Sequence, residues 1–262
     1  MAGRNFIERT AGVVTSEGEM VRTLGLIGGM SWESTALYYR HLNELAREHL
    51  GGLHSAKLLL WSFDFAEVAE HQHAGDWEGA TALMIEAAQR LRAGGVEALV
   101  ICTNTMHLMA DAVEQASGLP VLHIADATAE AIKRAGCRRP LLLATRFTME
   151  QPFYIKRLRE RHGIEAVVPE EADRGVVHRI IYEELCRGAV LPGSKAAYLA
   201  VIERARQQDG ADSVILGCTE ITMLIGASDV DAPVFDTTRL HAESAMAFAV
   251  DRSRVPARDA AE

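Results

Sequence analysis

Two short stretches of the chain place a cysteine where it can move protons: Val100-Ile101-Cys102-Thr103-Asn104-Thr105 and Ile215-Leu216-Gly217-Cys218-Thr219-Glu220. Each follows an apolar run of strand length, 98–101 in the first case and 213–216 in the second. A short, continuously apolar run bounded by helical patterns reads as a parallel strand buried on both faces, which puts each cysteine at a strand's carboxyl end. Open α/β sheets bind ligands at that end. If a helix begins there, its unpaired N–H groups and positive dipole end favour a thiolate over a thiol. Two such thiols suggest a pair that removes a proton from one side of a carbon and returns one to the other.

The rest of the chain must bring these two stretches together. Its 262 residues, 48% of them hydrophobic, suffice for one large α/β domain or two small ones. Acidic residues outnumber basic ones, 36 to 27, and no Lys/Arg block could track a phosphate backbone, which argues against nucleic acid. No window has the apolar length of a membrane span, and Glu8, Glu17 and Glu19 interrupt any signal-peptide core, so no membrane partner and a cytoplasmic location are expected. Cys102, Cys137, Cys186 and Cys218 are far apart, without a C-x-x-C pair, and read as reduced thiols rather than as disulfides or zinc ligands.

Along the chain, strands and helices alternate. Residues 1–20 lack periodicity and read as a poorly ordered arm. Residues 23–30 read as a strand entering a glycine turn, with Ser31 capping a helix over 32–48. Glycines 25, 28 and 29 make neither a dinucleotide fingerprint nor a phosphate loop, and a carboxylate suits that turn better than a nucleotide. Further strands are expected at 56–63, 97–102, 121–124, 140–144, 164–167, 213–217 and 233–235. Helices are expected at 76–92, 104–117, 126–135, 150–161, 173–186, 194–208, 220–225 and 237–250, ahead of a charged tail over 251–262. This is an α/β pattern with right-handed crossovers. The repeated cysteine stretch divides it into two similar flavodoxin-like lobes with parallel sheets and pseudo-twofold symmetry, 21–125 plus 236–250 and 126–235, with the active site in the cleft between them.

Gly28-Gly29-Met30-Ser31-Trp32-Glu33-Ser34-Thr35, Cys102-Thr103-Asn104-Thr105-Met106-His107, His123-Ile124-Ala125-Asp126-Ala127, Thr145-Arg146-Phe147-Thr148-Met149-Glu150 and Gly217-Cys218-Thr219-Glu220 together resemble the aspartate/glutamate racemase family, and within it the broad-specificity amino-acid racemases. The resemblance runs from about residue 23 to 250. It implies racemisation of an amino-acid substrate without pyridoxal phosphate or metal, by a protein that is commonly a homodimer. It implies Cys102 and Cys218 as the two proton-transfer groups. Met30, Ser62, Thr103, Asn104, Thr105, Thr145, Thr148, Thr219 and Glu220 are the substrate-binding residues it implies, with the Asn104 side chain and the N–H groups after each cysteine on the α-carboxylate. On this reading, replacing either cysteine by alanine stops racemisation. Members acting on aspartate or glutamate commonly carry a lysine where Val176 best aligns, so a neutral side chain is expected to suit this chain at least as well as an acidic one, with Arg174 the alternative partner for an acidic one.

Plainer readings attach to several residues. Cys137 and Cys186 lack a capping context and read as inert thiols, and His71 and His73 lie in a polar stretch as solvated side chains rather than metal ligands. His107 stands too far along its helix to touch Cys102. Rival functions are hydantoin racemisation or cis/trans isomerisation of an unsaturated diacid on the same scaffold, a Cys/His amidase, and a non-catalytic amino-acid binding protein.

Overall fold

The computed structural model describes residues 21–251; the arm at 1–20 and all but the first residue of the expected tail lie outside them. Strands β1 (Leu24–Gly28), β2 (Leu58–Ser62), β3 (Ala98–Ile101) and β4 (Val121–Leu122) form a parallel sheet in the order β2-β1-β3-β4. Strands β5 (Pro140–Leu143), β6 (Ser213–Leu216) and β7 (Val234–Asp236) form a second parallel sheet in that order. Of the strand expected at 164–167 only a bridge survives, Val167 to Leu141, yet it lies on β5 as β2 lies on β1. Both sheets therefore repeat one strand order, that of the flavodoxin-like fold.

Central strands are apolar throughout because helices cover both faces. In the first sheet Ile27, Leu99 and Ile101 pack with Met84, Ala88 and Leu91 of helix α3 (Trp77–Ala93). The alternate residues Leu26, Ala98, Val100 and Cys102 pack with Tyr38 and Leu42 of α1 (Trp32–Leu50) and with Ala242 and Met246 of α10 (Thr237–Val250). The second sheet is enclosed by α5 (Ile124–Arg134), α7 (Phe153–His162), α8 (Glu171–Glu183) and α9 (Pro192–Asp209). The remaining helices are α2 (Phe65–Ala74), α4 (Ala110–Ser117) and α6 (Arg146–Glu150). No helix among the described residues is long and apolar enough to cross a membrane.

Several expected boundaries move for local reasons. Helix α5 starts at Ile124 because His123 caps it, its Nδ1 accepting the Ala125 N–H at 3.2 Å, so Asp126 stands inside the helix rather than at its start. Residues after each cysteine do not enter an α-helix: 3-10 turns occupy Thr105–Met109 and Thr219–Met223. The α-helix expected over 104–117 begins only at Ala110, and the one at 220–225 is absent. The α-helical amino terminus expected to favour a thiolate is thus reduced at each site to the N–H groups of a short 3-10 turn, of which the Glu220 N–H favours the Cys218 thiolate. The helix expected over 150–161 begins only at Phe153, as α7 after Pro152, and a further short helix, α6, precedes it at Arg146–Glu150, the two separated at Gln151–Pro152, where proline cannot donate to the preceding turn.

The glycine turn after β1 holds its shape by contact. Gly29 has φ +89°, and a Cβ there would run into the Phe63 backbone, while its N–H donates to Thr35 Oγ1 at 2.9 Å. Gly29→Ala is expected to lower stability by about 2 kcal/mol in chemical denaturation; an unchanged midpoint would show that the turn relaxes freely.

Candidate active site

The cleft between the sheets' carboxyl ends is lined from the first lobe by Met30, Ser31, Ser34, Phe65, Gln72, Thr103, Asn104 and Thr105. From the second come Thr145, Ile181, Tyr182, Cys186, Gly217, Cys218, Thr219 and Glu220. Of the residues expected at the site, Met30, Thr103, Asn104, Thr105, Thr145, Cys218, Thr219 and Glu220 are therefore brought together. Cys102, Ser62 and Thr148 are not.

Cys102 is the consequential correction. It continues the alternation of Ala98 and Val100, so its side chain enters the core beneath α1 and α10, 1% exposed, with its thiol donating to the Val100 carbonyl at 3.7 Å. Burial alone pushes that thiol's pKa up. Backbone pairing gives the true correspondence. The Cys102 N–H donates to Ile27 of β1 at 2.9 Å, and the Gly217 N–H donates to Leu143 of β5 at 2.7 Å. Cys102 therefore matches Gly217, and Thr103 matches Cys218. At Gly217 a side chain would meet Leu142, Ala144 and the Leu143 carbonyl, so this position faces protein in both lobes and the next faces the cleft.

Cys218 is half-buried, and its thiol donates to Glu220 Oε2 at 2.9 Å. Desolvation, and then the Glu220 carboxylate, hold its pKa well above that of an ordinary thiol, so the unliganded site carries a thiol. Glu220 Oε1 accepts the Ser31 and Ser34 hydroxyls at 3.0 and 3.3 Å, which ties the second lobe's loop to the first helix of the first lobe. The proton of Cys218 thus rests against an oriented acceptor.

On the facing wall, His107 braces Thr103. Its Nδ1 lies 2.8 Å from the Thr103 carbonyl and its Nε2 accepts the Ile124 N–H at 3.2 Å, so Nδ1 carries the proton and donates. Desolvation, reinforced by His123 and His241, pushes the pKa of His107 well down and keeps it neutral. Its role is structural, and it holds the Thr103 loop rather than a thiol. Asn104 is 5% exposed. Thr237 Oγ1 spends its proton on the Leu216 carbonyl at 2.9 Å and accepts Asn104 Nδ2 at 3.1 Å, which leaves Asn104 Oδ1 buried without a partner. An acceptor there suits an ammonium group and not the carboxylate expected for it. Thr148, fully buried, hydrogen-bonds Thr105 Oγ1 at 3.0 Å from behind the cleft, and Ser62 is exposed beside the Gly29 turn.

Cys186 lines the cleft, where desolvation and then the charges of Glu220 and Glu33 push its thiol up to about 12, in keeping with the inert thiol expected. Other expectations change. Val176 packs against the second-lobe core instead of the cleft, and Arg174 is engaged by Glu150 at 3.3 Å and by the Pro169 carbonyl at 2.8 Å. The cleft-facing residues of α8 are Ile181 and Tyr182. His71 pairs with Asp76 at 2.7 Å, and His73 lies between the rings of Phe147 and Tyr182 at 6.3 and 6.5 Å, across the lobes. Sequence reasoning missed Ser31, Ser34, Phe65, Gln72, Ile181 and Tyr182. Only Ser31 and Ser34, inside a stretch already quoted, had any signal. Among the described residues no group of three or more His, Cys, Asp or Glu side chains could hold a metal ion.

The Asp/Glu/hydantoin racemase family matches residues 27–245. The chain belongs to that family. A Yersinia pestis protein assigned to the Asp/Glu racemases is 53% identical, its crystal structure superposing with a TM-score of 0.83 over 88% of this chain and 100% of its own. An aspartate racemase homologue from Pyrococcus horikoshii OT3 is 36% identical, with a TM-score of 0.77 over 88% of this chain and all of its own. The broad-specificity amino-acid racemase RacX of Bacillus subtilis (strain 168) is 23% identical over 163 residues, 62% of this chain and 69% of that one.

With its proton held by Glu220, Cys218 should be slow to alkylate near neutral pH and accelerate as pH rises beyond the range where an ordinary thiol has ionised. In Glu220→Gln the neighbouring negative charge is gone, so iodoacetamide labelling followed by peptide mass is expected to show the Cys218 profile shifted to lower pH. An unshifted profile would remove Glu220 from the account.

Proposed function

We propose that this racemase acts on the α-carbon of a free amino acid, with Cys218 and Thr103 as the proton-transfer groups on opposite walls of the cleft. The observation that carries this reading is their equivalence by backbone pairing, each being the first side chain past a central strand that faces the cleft. Asn104 Oδ1 and the Glu220 carboxylate offer acceptors to the substrate ammonium. Its positive charge offsets the desolvation that holds Cys218 protonated. The backbone N–H groups of Thr103, Asn104 and Cys218 make no hydrogen bond among the described residues, and they can receive the α-carboxylate as it gains enediolate charge. Each well-placed donor of this kind is worth about 3 kcal/mol.

In the direction that starts at Cys218, Glu220 takes the thiol proton, which it later releases to solvent, and the thiolate removes the α-proton. Carbanion charge spreads into the carboxylate held by the loop N–H groups. Thr103 then donates its hydroxyl proton to the opposite face and is reprotonated from solvent. In the reverse direction Thr103 gives its hydroxyl proton to solvent and removes the α-proton, and the Cys218 thiol donates to the opposite face and is reprotonated from solvent. A hydroxyl is a far weaker acid than a thiol, so the Thr103 side limits inversion, while Cys218 alone suffices to exchange the α-proton of the enantiomer it faces. The chemistry needs neither pyridoxal phosphate nor a metal ion.

Cys218→Ala is expected to lose at least a hundredfold in racemisation while keeping its circular dichroism, since a positioned acid or base contributes about 10²–10⁴ in rate. Proton NMR in deuterated water, with each enantiomer of several common amino acids, measures α-proton loss together with optical inversion. Racemisation by Cys218→Ala at a substantial fraction of the wild-type rate would overturn the assignment.

A further inference from the structure

The racemase reading leaves open which side chain the cleft accepts, and the walls away from Thr103 and Cys218 bear on it. Met30, Phe65, Ile181 and Tyr182 make those walls largely apolar. Among the described residues lining the cleft there is no Lys, Arg or His, and the only ionised side chain is Glu220. Besides Asn104, already assigned to the ammonium, the lining holds one other carboxamide, Gln72 in the last turn of α2, which is 6% exposed. Its Nε2 donates to the fully buried Met106 Sδ at 3.2 Å. A thioether can only accept, so the amide nitrogen must face Met106 and Gln72 Oε1 points the other way. Oε1 has no hydrogen-bond partner among the described residues. A lining amide fixed in this way presents an acceptor.

We propose that Gln72 sets side-chain specificity, selecting amino acids whose side chain is uncharged and ends in a hydrogen-bond donor, a carboxamide or a hydroxyl. This rests on the racemase reading and names its substrate class. A second carboxylate in the substrate would lose its water without gaining a cation, would meet the lone pairs of Gln72 Oε1 and would share the cleft with Glu220. An apolar side chain of the same length would displace water from Oε1 and give it no donor in return. A donor avoids both costs. Sites built to hydrogen-bond a substrate group discriminate strongly against analogues that lack it.

Glutamine, glutamate and methionine are close in length and end in a donor, an anion and an apolar group. We expect wild-type kcat/KM for glutamine to exceed those for glutamate and methionine by at least about tenfold, and the same margin for asparagine over aspartate. Gln72→Met, which keeps volume but removes the acceptor, should erase the margin of glutamine over methionine; ratios within one preparation do not depend on how much of it is folded. If that variant does not fold, Gln72→Glu provides the second test, because its carboxylate should widen the discrimination against glutamate. Glutamate turned over as well as glutamine by the wild type, or ratios unmoved by both substitutions, would overturn the proposal and leave racemisation standing. No α-proton exchange with any amino acid would overturn both.

Discussion

Everything at the site follows from where the chain leaves its two central strands. A buried N–H must find an acceptor, and the residues after β3 and β6 find theirs on the neighbouring strands, at Ile27 and Leu143. That pair of hydrogen bonds extends the pleat by one residue, so the side chain at that position belongs to the sheet's alternation and faces protein. The residue after it is released from the sheet and turns into the cleft. Thr103 and Cys218 owe their opposing positions to this constraint. His107, Thr237 and Thr238 then brace the loops that carry them through hydrogen bonds to Thr103, Asn104 and Thr219.

The electrostatics of the resting site are set by one carboxylate. Glu220 holds the Cys218 proton, accepts two hydroxyls from the first lobe and is the only charge on the lining residues described. Burial and that charge both oppose a free thiolate, so the site is quiet until a cation arrives. On the proposed reading the ammonium of an amino-acid substrate is such a cation, which would couple activation of Cys218 to occupancy of the cleft. The arrangement also ties the lobes together across the reacting groups, since Ser31 and Ser34 belong to the first lobe and Glu220 to the second.

Much of this was legible in the sequence. Continuous apolar runs at 98–101, 140–143 and 213–216 gave central parallel strands, and their alternation with helical patterns gave the α/β class. The repeat gave the two-lobed cleft. What failed was the register of the repeat. Matching the two Cys-Thr pairs by residue type placed Cys102 opposite Cys218, whereas counting from the last residue of each strand, Ile101 and Leu216, places Thr103 there. The pleat, not chemical identity, decides which way a side chain points. Gln72, Ile181 and Tyr182 were invisible for another reason: each sits on a helix whose orientation is set by tertiary packing, and nothing in its local pattern marks the face that meets the cleft. The supposed substrate contact at Val176 failed likewise, because position along α8 did not tell which side of the helix faced the core.

The central claim is that the proton partner of Cys218 is Thr103 and not Cys102. The most direct test follows each enantiomer of one accepted amino acid in deuterated water by proton NMR and optical rotation, comparing Thr103→Val with Cys102→Ala. Thr103→Val should lose inversion by at least about a hundredfold while Cys218 still exchanges the α-proton of one enantiomer, and Cys102→Ala should invert both enantiomers at a rate close to wild type. Inversion abolished in Cys102→Ala but preserved in Thr103→Val would contradict the account and restore the pair of thiols.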